Sequence, residues 1–141
     1  MDFSPVIWEL NRHQHLILLG RAYKLTGEAH QAYKLTGEAH YASEISRQLE
    51  SWMEANPFQE GINWTSALEV SIRALSWIWV LHLAGDELGD ALRTRVGTEL
   101  YRHGLYIANN LSYYFSPNTH LLGEAVALHA LGLLFRDETW E

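Results

Sequence analysis

The sequence predicts an all-α domain of stacked antiparallel helical hairpins, and three observations carry that prediction. Leu68, Ile72, Leu75, Trp79 and His82 recur at steps of four and three, which lines them along one face of a helix. No stretch alternates apolar and polar residues with β-branched side chains over the length of a strand. The prolines, Pro5, Pro57 and Pro117, all stand where an element would start or stop.

Five helices follow in order. The first runs from about Pro5 to Leu25, proline suiting a first turn because its missing N–H would be unpaired there anyway. The second ends near Ala55, since the residue before a proline is pushed out of the helical region at Asn56-Pro57. The third starts after Asn63, a good N-cap, and ends at Ala84-Gly85-Asp86. Val70, Trp77, Leu81 and Ala84 cover much of its remaining surface, so it is apolar nearly all round and packs on several sides. The fourth spans about Glu87 to Leu111, and the fifth runs from Asn118 or Thr119 to about Phe135. Short connections make consecutive helices antiparallel neighbours.

Composition narrows the function. A length of 141 residues suits one domain, 1–141, with a real core. Hydrophobic residues at 48% against 19% charged describe a globular chain rather than a disordered one. The net charge is −7, and the 10 basic residues are scattered singly, so no stripe exists to neutralise a run of phosphates. Nucleic acid is excluded as an expected partner. The absence of cysteine removes disulfides, thiol nucleophiles and thiolate metal sites. No H-E-x-x-H cluster, glycine-rich phosphate loop or G-x-S-x-G elbow occurs, and His13 and His15, two apart on the first helix, point to different faces. No metal or other cofactor is expected. The chain shows no signal peptide, and its most apolar stretch, Ala74 to Ala84, is about half of the ~20 residues that span a bilayer. No membrane partner is expected.

Ala22 to His30 recurs identically as Ala32 to His40. Ten residues of α-helix turn through about 1000°, so the two copies would face directions about 80° apart on one continuous helix. A period of ten is too short for a helical solenoid. Thr-Gly-Glu reads as a turn followed by a helix start, a hairpin needs one such turn, and one copy is expected to be redundant.

The chemistry-bearing motifs are Asn56-Pro57, Gly61-Ile62-Asn63-Trp64, then Glu69-Val70 with Arg73 and Trp77 on one helix, then Asn118-Thr119-His120-Leu121-Leu122-Gly123-Glu124-Ala125. In their order and spacing, from about Trp8 to Trp140, these resemble the N-terminal helical domain of the heparinase II/III-like polysaccharide lyases. The resemblance implies an incomplete (α/α) toroid, followed in the family by a β-sandwich, with full-length members often periplasmic or secreted. It implies β-elimination at a uronic acid of an acidic polysaccharide or oligosaccharide. Removing the proton at sugar C5 places a carbanion beside a carboxylate, so that carboxylate must be neutralised by donors such as Asn, His or Arg. Asn118 and His120 match the family's neutralising pair, and Arg73, Glu69, Glu124 and Trp64 are the expected substrate contacts. Many members carry two Asn before the His, and Thr119 stands at the second position. The family's catalytic Tyr lies downstream of this helix and a further His lies on the β-sandwich, so the chain is expected to be inactive alone.

Each residue also has a structural account. Asn118 suits an N-cap, and His120 and Glu124 are one turn apart and can bond each other. Glu69 and Arg73 have the order of an i,i+4 ion pair, and Trp64, Trp77 and Trp79 suit a core. The competing functions are a non-catalytic carbohydrate-binding module and a helical protein-interaction module. Apolar faces on the third and fifth helices, with Trp77, Trp79, Leu81, Leu121, Leu122, Leu128, Leu131 and Leu134, lead to the expectation of a homodimer.

Overall fold

The computed structural model describes residues 4–29, 38–114 and 117–136. Among them are α1 (Ser4–Asn11), α2 (Gln14–Ala29), α3 (Glu38–Ala55), α4 (Ala67–Ala84), α5 (Asp90–Asn109) and α6 (Thr119–Phe135), with no strand. The fold is all-α. The second, third and fifth expected helices end as the sequence indicates, at Ala55, Ala84 and Phe135.

The first expected helix divides in two. His13 takes a left-handed backbone (φ 57°) between α1 and α2, a conformation uncommon for any residue with a side chain. A tertiary bond holds it there: the Trp77 indole N–H donates to His13 Nδ1 at 2.8 Å. His13 is therefore buried in the break, while His15 is exposed on α2 and bonds Gln48 at 2.7 Å. The two histidines do not share a helix as the sequence suggested. Asn63 is likewise not an N-cap. It lies in a short 3-10 turn, Ile62–Trp64, and Ser66 precedes α4 instead. Gly61, at φ 77°, enters that turn in the left-handed region where glycine alone is unstrained, which gives the Gly-Ile-Asn-Trp motif its first residue.

The helices form two layers. Gly20 meets Leu83 and Tyr23 bonds Glu87, so α2 and α4 run in the same direction. Gly123 lies so close to Leu68 that an added Cβ would come within 2.8 Å of it, which holds α6 tight against α4. The hairpin partners run oppositely: Trp52 of α3 reaches Asn11, Gln48 reaches His15, Arg73 meets His103, and Tyr101 packs on Phe135. Thus α2, α4 and α6 make one layer, with α3 and α5 packed behind them. The core between the layers is built from Leu16, Ile45, Leu49, Val70, Ala74, Trp77, Val80, Val96, Leu100, Ile107 and Leu131.

The buried side of α4 carries Val70, Arg73, Ala74, Trp77 and Val80, whereas Trp79, at the centre of the expected apolar stripe, is 54% exposed. Ala67–Glu87 is long and apolar enough by length and composition to cross a membrane, longer than the Ala74–Ala84 stretch suggested, and 56% of its most apolar window is buried inside the protein. The faces expected to pair between copies split in the same way. Trp77 and Leu131 are internal, while Leu122, Leu134 and Trp79 are exposed.

The described parts of the two copies belong to different helices. Ala22 to Ala29 of the first copy is the end of α2, and Glu38 to His40 of the second copy is the start of α3. Thr26-Gly27-Glu28 is thus helical rather than a turn, and the corresponding Thr36-Gly37 lies outside the described residues. Deleting Gln31 to His40 forces the remaining Thr-Gly-Glu to make the hairpin turn. The expected product is a folded protein with α2 shorter by about one turn and stability changed by about 1 kcal/mol or less, because closure entropy varies slowly with length. Circular dichroism and thermal melting check it, and failure to fold would show that both copies are required.

Candidate functional site

A cleft of about 500 Å³ opens where α4 and α6 begin and α5 ends. Trp8, Tyr106 and Tyr114 supply aromatic walls, Thr65, Ser66 and Ala67 line the approach to α4, and the chain from Asn110 to Ser112 closes another side. His120, in the first turn of α6, is half-buried and lines the same space. Ser66 makes no side-chain cap, so its hydroxyl stays at the mouth of α4. Tyr106 donates its hydroxyl to the Trp64 carbonyl, and burial pushes its pKa up, with Arg73 pulling the other way. The Trp8 indole N–H donates to the Ile62 carbonyl at 3.1 Å.

Asn118 does not line this cleft. Its Oδ1 accepts from the Thr119 N–H at 2.7 Å and caps α6, the structural role its place after Pro117 suggests. Glu124 is fully buried, and both its carboxylate oxygens hold Ser112, from the backbone N–H at 2.8 Å and the hydroxyl at 2.6 Å. Its partner is Ser112, not His120. This clamp ties the tyrosine-bearing loop to the helix that carries His120.

Behind the cleft lies a buried cluster around Arg73, which is 0% exposed. Its Nε donates to His103 Nε2 at 3.0 Å and its Nη2 to the Asn63 carbonyl at 3.1 Å. The guanidinium lies 4.4 Å from the Trp52 ring centre and 5.3 Å from that of Trp64, positions where the ring faces attract a cation. Burial lowers the Arg73 pKa to about 9, opposed by the charges of Glu69 and Tyr106. His103 accepts at Nε2, so its proton sits on Nδ1 and is donated to the Glu99 carbonyl at 2.6 Å. Burial and the Arg73 charge hold both His103 and His13 neutral, His13 with its pKa down at about 3.

Glu69 is not the ion-pair partner of Arg73. Its carboxylate takes a two-pronged bond from Arg12, 2.7 Å from Nε and 2.9 Å from Nη2, and Arg12 also reaches Glu9 at 2.6 Å. This pairing raises the Arg12 pKa. Planar guanidinium and carboxylate fit each other well in this way, and Arg12 reaches Glu69 from 57 positions away while the Arg73 donors go to His103 and the Asn63 carbonyl.

The family model described as heparinase II/III N-terminus matches residues 4–139 of the chain. The chain belongs to that family. No curated protein and no solved structure matches it.

In this heparinase II/III N-terminal domain, the motif residues divide between cleft and interior. His120 reaches the cleft, Asn118 caps the helix behind it, and Trp64, Glu69, Arg73 and Glu124 are buried with internal partners. The physical reason is cost: a charged or indole N–H group inside a small core must be satisfied there. Sequence reasoning missed Trp8, Tyr106, Asn110 and Tyr114 as cleft residues. For Tyr106 and its neighbour His103 a signal existed, since Leu92, Val96, Leu100, His103 and Ile107 mark the buried stripe of α5. Trp8 gave none, because its place depends on a contact 54 residues away. Among the described residues no group of three or more His, Asp or Glu side chains could hold a metal ion.

Proposed function

We propose that this domain binds an acidic polysaccharide in the cleft and neutralises a uronate carboxylate there, the binding half of a β-eliminating lyase. The observation that carries the proposal is His120 lining a wide, aromatic-walled cleft at the start of α6. A half-buried imidazole donates well to a carboxylate, and the adjacent helix starts add backbone N–H groups and a favourable dipole. Flat aromatic walls suit the faces of sugar rings. The layer of parallel α2, α4 and α6 backed by α3 and α5 supports a partial (α/α) toroid as the frame.

Proton abstraction is a different matter. Of the two tyrosines in the cleft, Tyr106 has its hydroxyl engaged by a carbonyl and its pKa raised, the wrong direction for a base at neutral pH. We therefore infer binding without turnover by this chain alone. Calorimetric titration with an oligo-uronate is expected to give saturable binding, weakened about tenfold or more in His120→Ala, for loss of a bond to a charged group. No unsaturated-uronate absorbance should develop. Affinity indifferent to His120→Ala would remove the site, and robust turnover would remove the division of labour.

A further inference from the structure

The cleft, taken as the polysaccharide site proposed above, has an electrostatic character that separates two kinds of acidic polymer. Its described lining residues include no Lys, Arg, Asp or Glu. Of the cations close by, Arg73 is fully buried behind Tyr106 with donors held by His103 and the Asn63 carbonyl, and Arg12, four residues from Trp8, is held by Glu69 and Glu9. Glu124, behind Ser112, adds a buried carboxylate to the wall. The whole chain carries a net charge of −7. We propose that the cleft selects unsulfated polyuronates, polymers whose charge is the ring carboxylate alone, over sulfated glycosaminoglycans.

Pairing of charges sets the preference. A ring carboxylate can be met by a single imidazole and the backbone N–H groups of a helix start, and these are what the cleft offers. Sulfates bring further fixed charges on each repeat, and every one that enters must lose water. Without a cationic partner that loss is not recovered. The surrounding negative field adds repulsion that grows with the charge density of the polymer. Aromatic walls and uncharged hydrogen-bonding groups bind a sugar through its faces and hydroxyls, contacts that salt screens little.

The test compares oligo-alginate with heparin oligosaccharides of equal length on the same purified chain, at low and moderate salt. Oligo-alginate is expected to bind about tenfold or more tighter, with little change between the two salt conditions. Asn110→Arg, which places a cation at the cleft where the end of α5 favours one, should raise heparin affinity about tenfold and alginate affinity much less. Repulsion by the overall charge alone would leave the heparin affinity of Asn110→Arg nearly unchanged, and that result would overturn cleft-based selection. Heparin binding as tightly as alginate, with steep salt dependence, would overturn it too while leaving polysaccharide binding intact. Failure of both oligosaccharides to bind would overturn the functional proposal itself, and this one with it.

Discussion

Arg73→Ala is expected to lower the unfolding free energy by about 3–5 kcal/mol, a large share of what a domain of this size has. The substitution strips two buried acceptors, His103 Nε2 and the Asn63 carbonyl, of their donor and leaves space between Trp52 and Trp64. Each stranded acceptor accounts for about 1–3 kcal/mol, and the cavity adds to that. Relief of the buried charge works the other way, because Arg73 holds its proton against burial with its pKa already drawn down to about 9. Arg73→Met separates these effects. It removes the charge and strands the same two acceptors but fills most of the space, so it should lose about 1–2 kcal/mol less than Arg73→Ala. Denaturant unfolding followed by fluorescence of the buried tryptophans measures both. Equal losses in the two variants would mean that packing contributes nothing at this position.

Acid should unfold the protein from a definite starting point. His13 has a folded-state pKa of about 3 against an ordinary 6.5, and His103 is shifted in the same direction, each chiefly by burial. The folded state therefore binds fewer protons than the unfolded one at any pH between those limits. Stability is complete above about 6.5 and falls as the pH drops toward about 3, which is the reverse of a histidine paired with a carboxylate. Each histidine contributes a slope of about 1.4 kcal/mol per pH unit, so at about pH 4.5 His13 alone removes about 3 kcal/mol. His13→Asn should flatten the acid limb by one proton while its Oδ1 keeps an acceptor for the Trp77 indole, and stability at neutral pH should fall by the lost packing of the ring. An unchanged slope in that variant would place the acid sensitivity elsewhere.

These two predictions concern residues whose neighbours the sequence shows only in part. Elements with local punctuation were legible. Pro117-Asn118 marks the start of α6 to within one residue, and Asn56-Pro57 marks the end of α3. The break at His13 was not, because Arg12-His13-Gln14 holds neither glycine nor proline and the bend depends on an indole 64 residues away. Glu69 shows the same limit. A favourable partner stood one turn along, and the fold supplied a better one from α1's end. The family motif located the cleft through His120, yet its most polar members, Arg73 and Glu124, turned out to organise the interior around that cleft. Motif spacing shows which residues work together, and burial decides which of them meet a ligand.

The duplicated segment runs from the end of α2 into the start of α3, which bears on what the chain can accommodate. With both copies present, α2 and α3 hold their partners, Tyr23 bonded to Glu87 and Gln48 to His15. With one copy expected to be redundant, the segment is a place where added residues should be tolerated. Closure entropy rises by only about 0.6 kcal/mol for each doubling of a connection's length, so a tag, a reporter domain or new chain termini are expected to be accepted there. The cleft, at the start of α4 and α6, is formed by other segments and would be left untouched.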